Sequence, residues 1–254
     1  MTTLHPLYVT ASPPTAVSHS CRGAFTSPTA SNLIVCKSTL LELHALTANG
    51  VELLRTEKLF ARIALMVPFR PAGSPTDLLF VCAHDKFRFA ILDFARGEVR
   101  TLHDGSLEER AGRRLEDKVH CFLDPHSRIL GVLLYQGVLK IVPLDKQGRP
   151  ARSLSGSGTG PPSARAKGKS RLGVSAAEEA PDPFTVRMNE LNILSITALH
   201  EVTDSFAVLY QDGKGKRHIR SYTVDLAGKE LKRGPIPATT VSDAAHYIVA
   251  AKPP

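Results

Sequence analysis

Tryptophan is absent from this 254-residue chain, and only ten phenylalanines and five tyrosines supply aromatic rings. Stacking platforms of the kind that hold single-stranded nucleic acid are therefore scarce. No apolar run approaches the roughly 18 residues of a membrane-spanning helix. The first 20 residues lack the basic start and apolar block of a secretory signal. A helical period of 3.6 is missing everywhere outside one low-complexity stretch, which leaves almost no helix to expect. Cysteine is sparse. Cys21, Cys36, Cys82 and Cys121 are far apart, with no Cys-x-x-Cys pair and no Asn-x-Ser/Thr acceptor. That excludes a disulfide framework and fits a reducing compartment. The ten histidines show no zinc-type spacing, and no cofactor or metal is expected.

Pairs of short apolar runs joined by tight polar turns are abundant. Runs at 32–36 and 40–46 flank Lys37-Ser38, and runs at 78–83 and 87–94 flank His84-Asp85-Lys86. Runs at 129–135 and 138–144 flank Gln136-Gly137, and those at 205–210 and 218–226 flank Asp212-Gly213. Each reads as a β-hairpin, because Val, Ile, Leu, Phe and Tyr fill strand-length runs bounded by turn formers.

The hairpins recur. Turn positions 37 and 85 are 48 residues apart, 85 and 136 are 51 apart, and 136 and 213 are 77 apart. The long third interval contains residues 153–183, of which 20 are Gly, Ser, Ala or Pro. Such a composition cannot bury enough apolar surface to offset its ordering entropy, so it is expected to be a disordered insertion. Without its 31 residues the interval becomes 46 and the rhythm returns. A second marker precedes each hairpin: Thr26-Ser27-Pro28, Arg70-Pro71-Ala72, Asp124-Pro125 and the stretch 200–204. Further apolar segments at 51–60 and 62–69 complete a unit of about four strands. Four-stranded units at that period signal β-propeller blades, whereas a β-sandwich has no reason to keep a fixed period. The expected fold is all-β, a partial propeller of about four to five blades spanning residues 1–254 with the 153–183 insertion inside it.

Several segments in order resemble a known family: Tyr8-Val9-Thr10-Ala11, Pro14-Thr15-Ala16-Val17, PFRPAGSPTDLLFV at 68–81, GVLKIVPLD at 137–145 and YQDGKGKRHIRSYTVDL at 210–226. They are similar to the first β-propeller of the large subunit of the UV-damaged DNA-binding complex, the adaptor of cullin-4 ubiquitin ligases. A splicing factor 3b subunit and the large cleavage and polyadenylation specificity subunit share this propeller and look less like these segments. The resemblance implies seven blades, of which this chain holds about four and a half, with residues 247–251 as the opening strand of a fifth. The sequence is therefore expected to be truncated. The resemblance also implies a non-catalytic interaction module in DNA damage repair, acting in the nucleus and also the cytoplasm. Its partners would be substrate receptors, with any DNA contact indirect and no membrane. The family's cullin-binding surface lies on its second propeller, outside this chain.

Two groups of residues are candidates for contact. In the charged connection 103–118, Arg110, Gly112 and Arg113 resemble a family loop that faces the cleft where receptor helices dock. Planar guanidinium groups suit bidentate contact to carboxylates and carbonyls. Arg114 stands where the family tends to have proline. The second group, Lys214, Lys216, Arg217 and Arg220, lies on and beside a hairpin turn and could meet phosphates. Lysines at a hairpin edge also serve simply to discourage edge pairing. This cluster and the net charge of +8 motivate the alternative function, a nucleic-acid-binding or scaffold subunit akin to the splicing and polyadenylation relatives. Other motifs fall away. Gly156–Gly160 and the near-Walker stretch ending Gly168-Lys169-Ser170 lack a strand–loop–helix frame. Asp85, Asp124, Asp145 and Asp212 sit at turns, where aspartate caps backbone amides. His120 and Cys121 are strand neighbours and so point to opposite faces.

Overall fold

A computed structural model describes residues 12–59, 61–94, 98–109, 112–115, 119–150 and 181–249. The described residues form strands and turns without helix. The first sheet holds β1 (His19–Gly23), β2 (Asn32–Lys37), β3 (Leu40–Thr47) and β4 (Gly50–Lys58) in chain order. The second holds β5 (Ile63–Phe69), β6 (Leu78–Ala83), β7 (Arg88–Asp93) and β8 (Arg100–Ser106). The third contains β9 (His120–Leu123), β10 (Ile129–Tyr135), β11 (Val138–Pro143) and β12 (Phe184–Arg187). The fourth contains β13 (Asn192–Ala198), β14 (Ser205–Gln211), β15 (Arg217–Asp225) and β16 (Glu230–Arg233). A two-residue strand, β17 (Thr239–Thr240), pairs with the start of β15. All pairings are antiparallel and, β17 apart, join consecutive strands, so each sheet is built on a four-stranded meander, the form of a propeller blade. All four expected hairpins are present. Of the expected strand at 247–251, residues 247–249 are not in a strand and the rest lie outside the described residues.

The blades stack face to face because the second strands β6, β10 and β14 are apolar on both sides. On β6, Leu79 and Val81 enter the core shared with the first blade, while Leu78, Phe80 and Cys82 enter the core shared with the third. On β10, Leu130, Val132 and Leu134 join that second core, and Ile129 and Leu133 join a third core with Phe206 and Val208 of β14. A period of two thus sends alternate residues into different cores. The third core is built around a close stack, Phe122 against Phe206 with centroids 4.3 Å apart. Gly131 makes room for it, since a Cβ there would lie 2.0 Å from Phe122 Cε1. The first strands of successive blades approach one another, β1 against β5 and β9 against β13, as inner strands do around a propeller axis.

The blades are also tied together at one end. The markers that preceded each hairpin in the sequence are the loops between first and second strands, and these loops carry the ties. Ala24 N donates to Asp77 Oδ2 at 2.6 Å, Asp77 N returns a bond to Ala24 O, and Arg70 Nε holds Asp77 Oδ1 at 2.6 Å. Gly73 N donates to Lys146 O at 2.8 Å between the second and third blades. Arg128 Nη2 reaches Asp204 Oδ1 at 2.7 Å between the third and fourth, while its Nε holds Asp124. This is the latch end. The turns between second and third strands and the crossovers from one blade to the next lie at the other, crossover end.

The cysteines pack as apolar groups. Burial pushes the thiols of Cys21 and Cys82 up to about 12, so neither ionises near neutrality. On β9, Cys121 packs against the second core and its neighbour Phe122 against the third. Replacing Phe206 by Ala should empty the centre of the third core and cost about 3 to 5 kcal/mol, read as a lower urea midpoint. An unchanged midpoint would show that the Phe122–Phe206 stack is not what joins these blades.

Candidate interaction site

The crossover from the second to the third blade leaves β8 at Ser106 and runs along the crossover end. Leu107 is fully buried beneath it and fixes its start. Glu109 then anchors it three ways. Its amide donates to the Tyr135 hydroxyl at 3.0 Å, and its carboxylate accepts from Lys140 Nζ at 2.6 Å and Thr185 Oγ1 at 2.7 Å. Burial alone would raise the Glu109 carboxyl, but the bonds from Lys140 and Thr185 outweigh it and hold the group below its ordinary range. Farther on, Leu115 N donates to Leu134 O, Gln136 N donates to Arg113 O, and Arg114 forms a bridge with Tyr135. Residues 113–115 therefore extend the inner edge of the third blade.

Arg114 is tied down. Its guanidinium carbon lies 4.8 Å from the Phe87 ring centroid, and Nη2 reaches Glu108 Oε1 at 3.2 Å. Gly112 has φ 139°, and a Cβ there would stand 3.0 Å from Tyr135 Cβ. Both the backbone and the space thus demand glycine at that bend. Arg113 is an exposed residue beside it, at the end of the third blade. Arg110 lies outside the described residues.

The basic cluster of the fourth blade divides. Arg217 and Arg220 are three apart on β15, so they face opposite sides of the sheet. Arg217 Nη1 donates to Ala245 O at 2.7 Å, clamping the segment that leaves β17 across the blade. Its Nε is buried with no hydrogen-bond partner. Arg220 pairs with the buried Glu190 at 2.7 Å, which also accepts from the Tyr222 hydroxyl. Burial, reinforced by Glu190, pushes the Tyr222 phenol up to about 12. Lys214 and Lys216 stay exposed on the turn, where their amides both donate to Asp212 Oδ1 at 2.9 Å. His218 foremost, then those amides, hold the Asp212 carboxyl below its ordinary range. Glu190 escaped sequence reasoning because its partners follow 30 and 32 residues later.

The crossover 107–115, the short crossover 188–191 and the turn 212–216 share one end of the blades, opposite the latches. Gly112, Arg113, Lys214 and Lys216 therefore lie at one end of the blades. Among the described residues no cluster of His, Cys, Asp and Glu is arranged to hold a metal, and no helix is long and apolar enough to cross a membrane.

Comparison with known proteins agrees with this architecture. The model of a family described as the RSE1/DDB1/CPSF1 first beta-propeller matches residues 16–252. DNA damage-binding protein 1b of Arabidopsis thaliana is 34% identical over 244 residues, covering 95% of this chain and 20% of that protein. DNA damage-binding protein 1a of the same plant is 32% identical over 249 residues, with 97% of this chain and 20% of that protein covered. DNA damage-binding protein 1 of Solanum lycopersicum is likewise 32% identical over 249 residues, with the same coverage. The chain thus spans about a fifth of the length of these relatives.

The Glu109–Lys140 pair makes a pH-dependent contribution. A depressed carboxyl stabilises the fold above its unfolded pKa, and the contribution disappears as pH falls through the folded value. Glu109→Gln should lower stability by about 1 kcal/mol at pH 7, and the gap from the unaltered chain should close below the ordinary value of 4.5. Urea midpoints measured across pH check this. A gap that persists unchanged into acid would place the effect elsewhere.

Proposed function

Because the chain belongs to the RSE1/DDB1/CPSF1 first beta-propeller family, we propose that it is a non-catalytic interaction module of the cullin-4 adaptor type. It would work in the nucleus, and also the cytoplasm, in ubiquitin ligase assembly and DNA damage repair. The observation that carries the reading is the crossover 107–115. It is pinned at Leu107 and Glu109 and bent at Gly112, which presents Arg113 at the rim of the third blade. The described parts of the crossover are tied to the third blade, so Arg113 loses little backbone entropy when a partner docks and suits the carboxylates or exposed carbonyls of a helix. The partner class is the substrate receptors of these ligases. Arg110 and Arg113 would hold a receptor's helical segment, with Gly112 setting the bend.

The nucleic-acid alternative drew on four clustered cations. Two of them, Arg217 and Arg220, are committed to contacts within the fold, so the adaptor reading is favoured. With an affinity tag at its own locus, the double variant Arg110→Glu, Arg113→Glu should fail to recover cullin-4 substrate receptors at unchanged protein abundance. Recovery equal to that of the unaltered protein would remove the proposed role of this loop.

A further inference from the structure

A hollow of about 570 Å³ opens on the crossover end, between the 188–191 crossover and the 212–216 turn. Its walls differ in chemistry. Leu191, 63% exposed, and Tyr210 supply apolar surface. Leu191 lies against the neighbouring turn, where a Cβ on Gly137 would stand 2.9 Å from Leu191 Cδ2. Asn189, Asn192 and Gln211 add amides along the sides, of which Asn192 and Gln211 are bonded to each other at 3.1 Å. The floor carries the Glu190–Arg220 pair, whose charges cancel.

The 212–216 turn, whose Asp212 and Gly213 line the hollow, carries Lys214 and Lys216 exposed just beyond it. Among the described residues the ammonium groups of Lys214 and Lys216 have no ion pair, while the Asp212 carboxylate of the same turn is engaged by His218 Nε2 at 3.0 Å and by the two lysine amides. The turn that carries them is rigid. Asp212 N donates to Lys216 O, Gly215 N donates to Asp212 O, and Gly215 sits at φ 82°. Two exposed lysines on a fixed turn beside an exposed leucine favour a ligand that is both anionic and aliphatic. We propose that this hollow binds an acidic peptide segment carrying an aliphatic side chain, with Lys214 and Lys216 meeting its carboxylates and Leu191 its apolar group. The inference deepens the interaction-module reading and rests on it.

A phosphate backbone would use the lysines but not the rest. The Tyr210 ring is already flanked by His218 at 5.4 Å and by the Arg220 guanidinium at 5.9 Å, so it offers no platform for a base. An exposed leucine gives a nucleotide nothing to contact. An acidic peptide uses both features, with the charges steering approach and the leucine contact slowing release.

The test is fluorescence anisotropy on the purified chain with a fluorescein-labelled Glu-Glu-Leu-Glu-Glu peptide. A Gln-Gln-Leu-Gln-Gln peptide and a labelled oligothymidylate of equal charge serve as comparisons. The acidic peptide should bind at least about tenfold tighter than the glutamine peptide, weakening as salt rises. Lys214→Glu with Lys216→Glu should remove that preference. Leu191→Ser should weaken binding while keeping its salt dependence. All three side chains are exposed, so unchanged melting curves will confirm that the variants fold. Equal binding of the two peptides, an unaffected lysine variant, or tighter binding of the oligonucleotide would each overturn the proposal. No receptor takes part, so this site and the Arg110–Arg113 loop can fail separately.

Discussion

The second strands β6, β10 and β14 are apolar on both faces, and that double-sidedness governs the rest of the structure. A sheet with one wet face could stand alone. One whose alternate residues are all apolar must be covered twice. On β6 and β10 the alternation is strict enough that neighbouring residues belong to different hydrophobic cores. Four such meanders can satisfy one another only by stacking in series, and stacking with a constant twist turns the series around an axis. The inner-strand approaches of β1 to β5 and β9 to β13 are the visible result.

That arrangement separates two tasks. The loops between first and second strands lie where adjacent blades converge, and they spend their polar groups on one another through Asp77, Arg70, Arg128 and Asp204. Their cations and carboxylates are neutralised in place. At the opposite end the crossovers must travel from an outer strand to the next inner one, and they carry side chains beyond what closure of the cores requires. Arg113, Lys214, Lys216 and Leu191 all belong to this end.

The middle strands were legible in the sequence because their apolar runs are bounded by turn formers such as Ser38, Lys86 and Gly137, each now found at positive φ. The recurrent markers ahead of each hairpin were legible as a rhythm, though not as latches, because a tie such as Asp77 to Ala24 joins residues 53 apart. Outer strands were harder. β4 is exposed along almost its whole length and is broken by a bulge opposite Leu43 and His44, and β16 is mostly exposed, so neither carries a clean period. Within the site, the cluster around residue 217 looked like one basic patch when read as a list. Read at strand period, Arg217 and Arg220 belong to opposite faces, and that signal was present in the sequence. Glu190, which neutralises Arg220, gave no such signal.

The central claim is that one end of the blades holds the fold while the other meets partners. Amide hydrogen exchange, compared with and without a bound substrate receptor on the protein isolated from its native source, tests this most directly. The account predicts new protection confined to the crossover end, at residues 107–115 and around 188–191 and 212–216, with the latch loops 70–77 and 124–128 unchanged. Protection appearing at the latch loops while the crossovers exchange as before would contradict it.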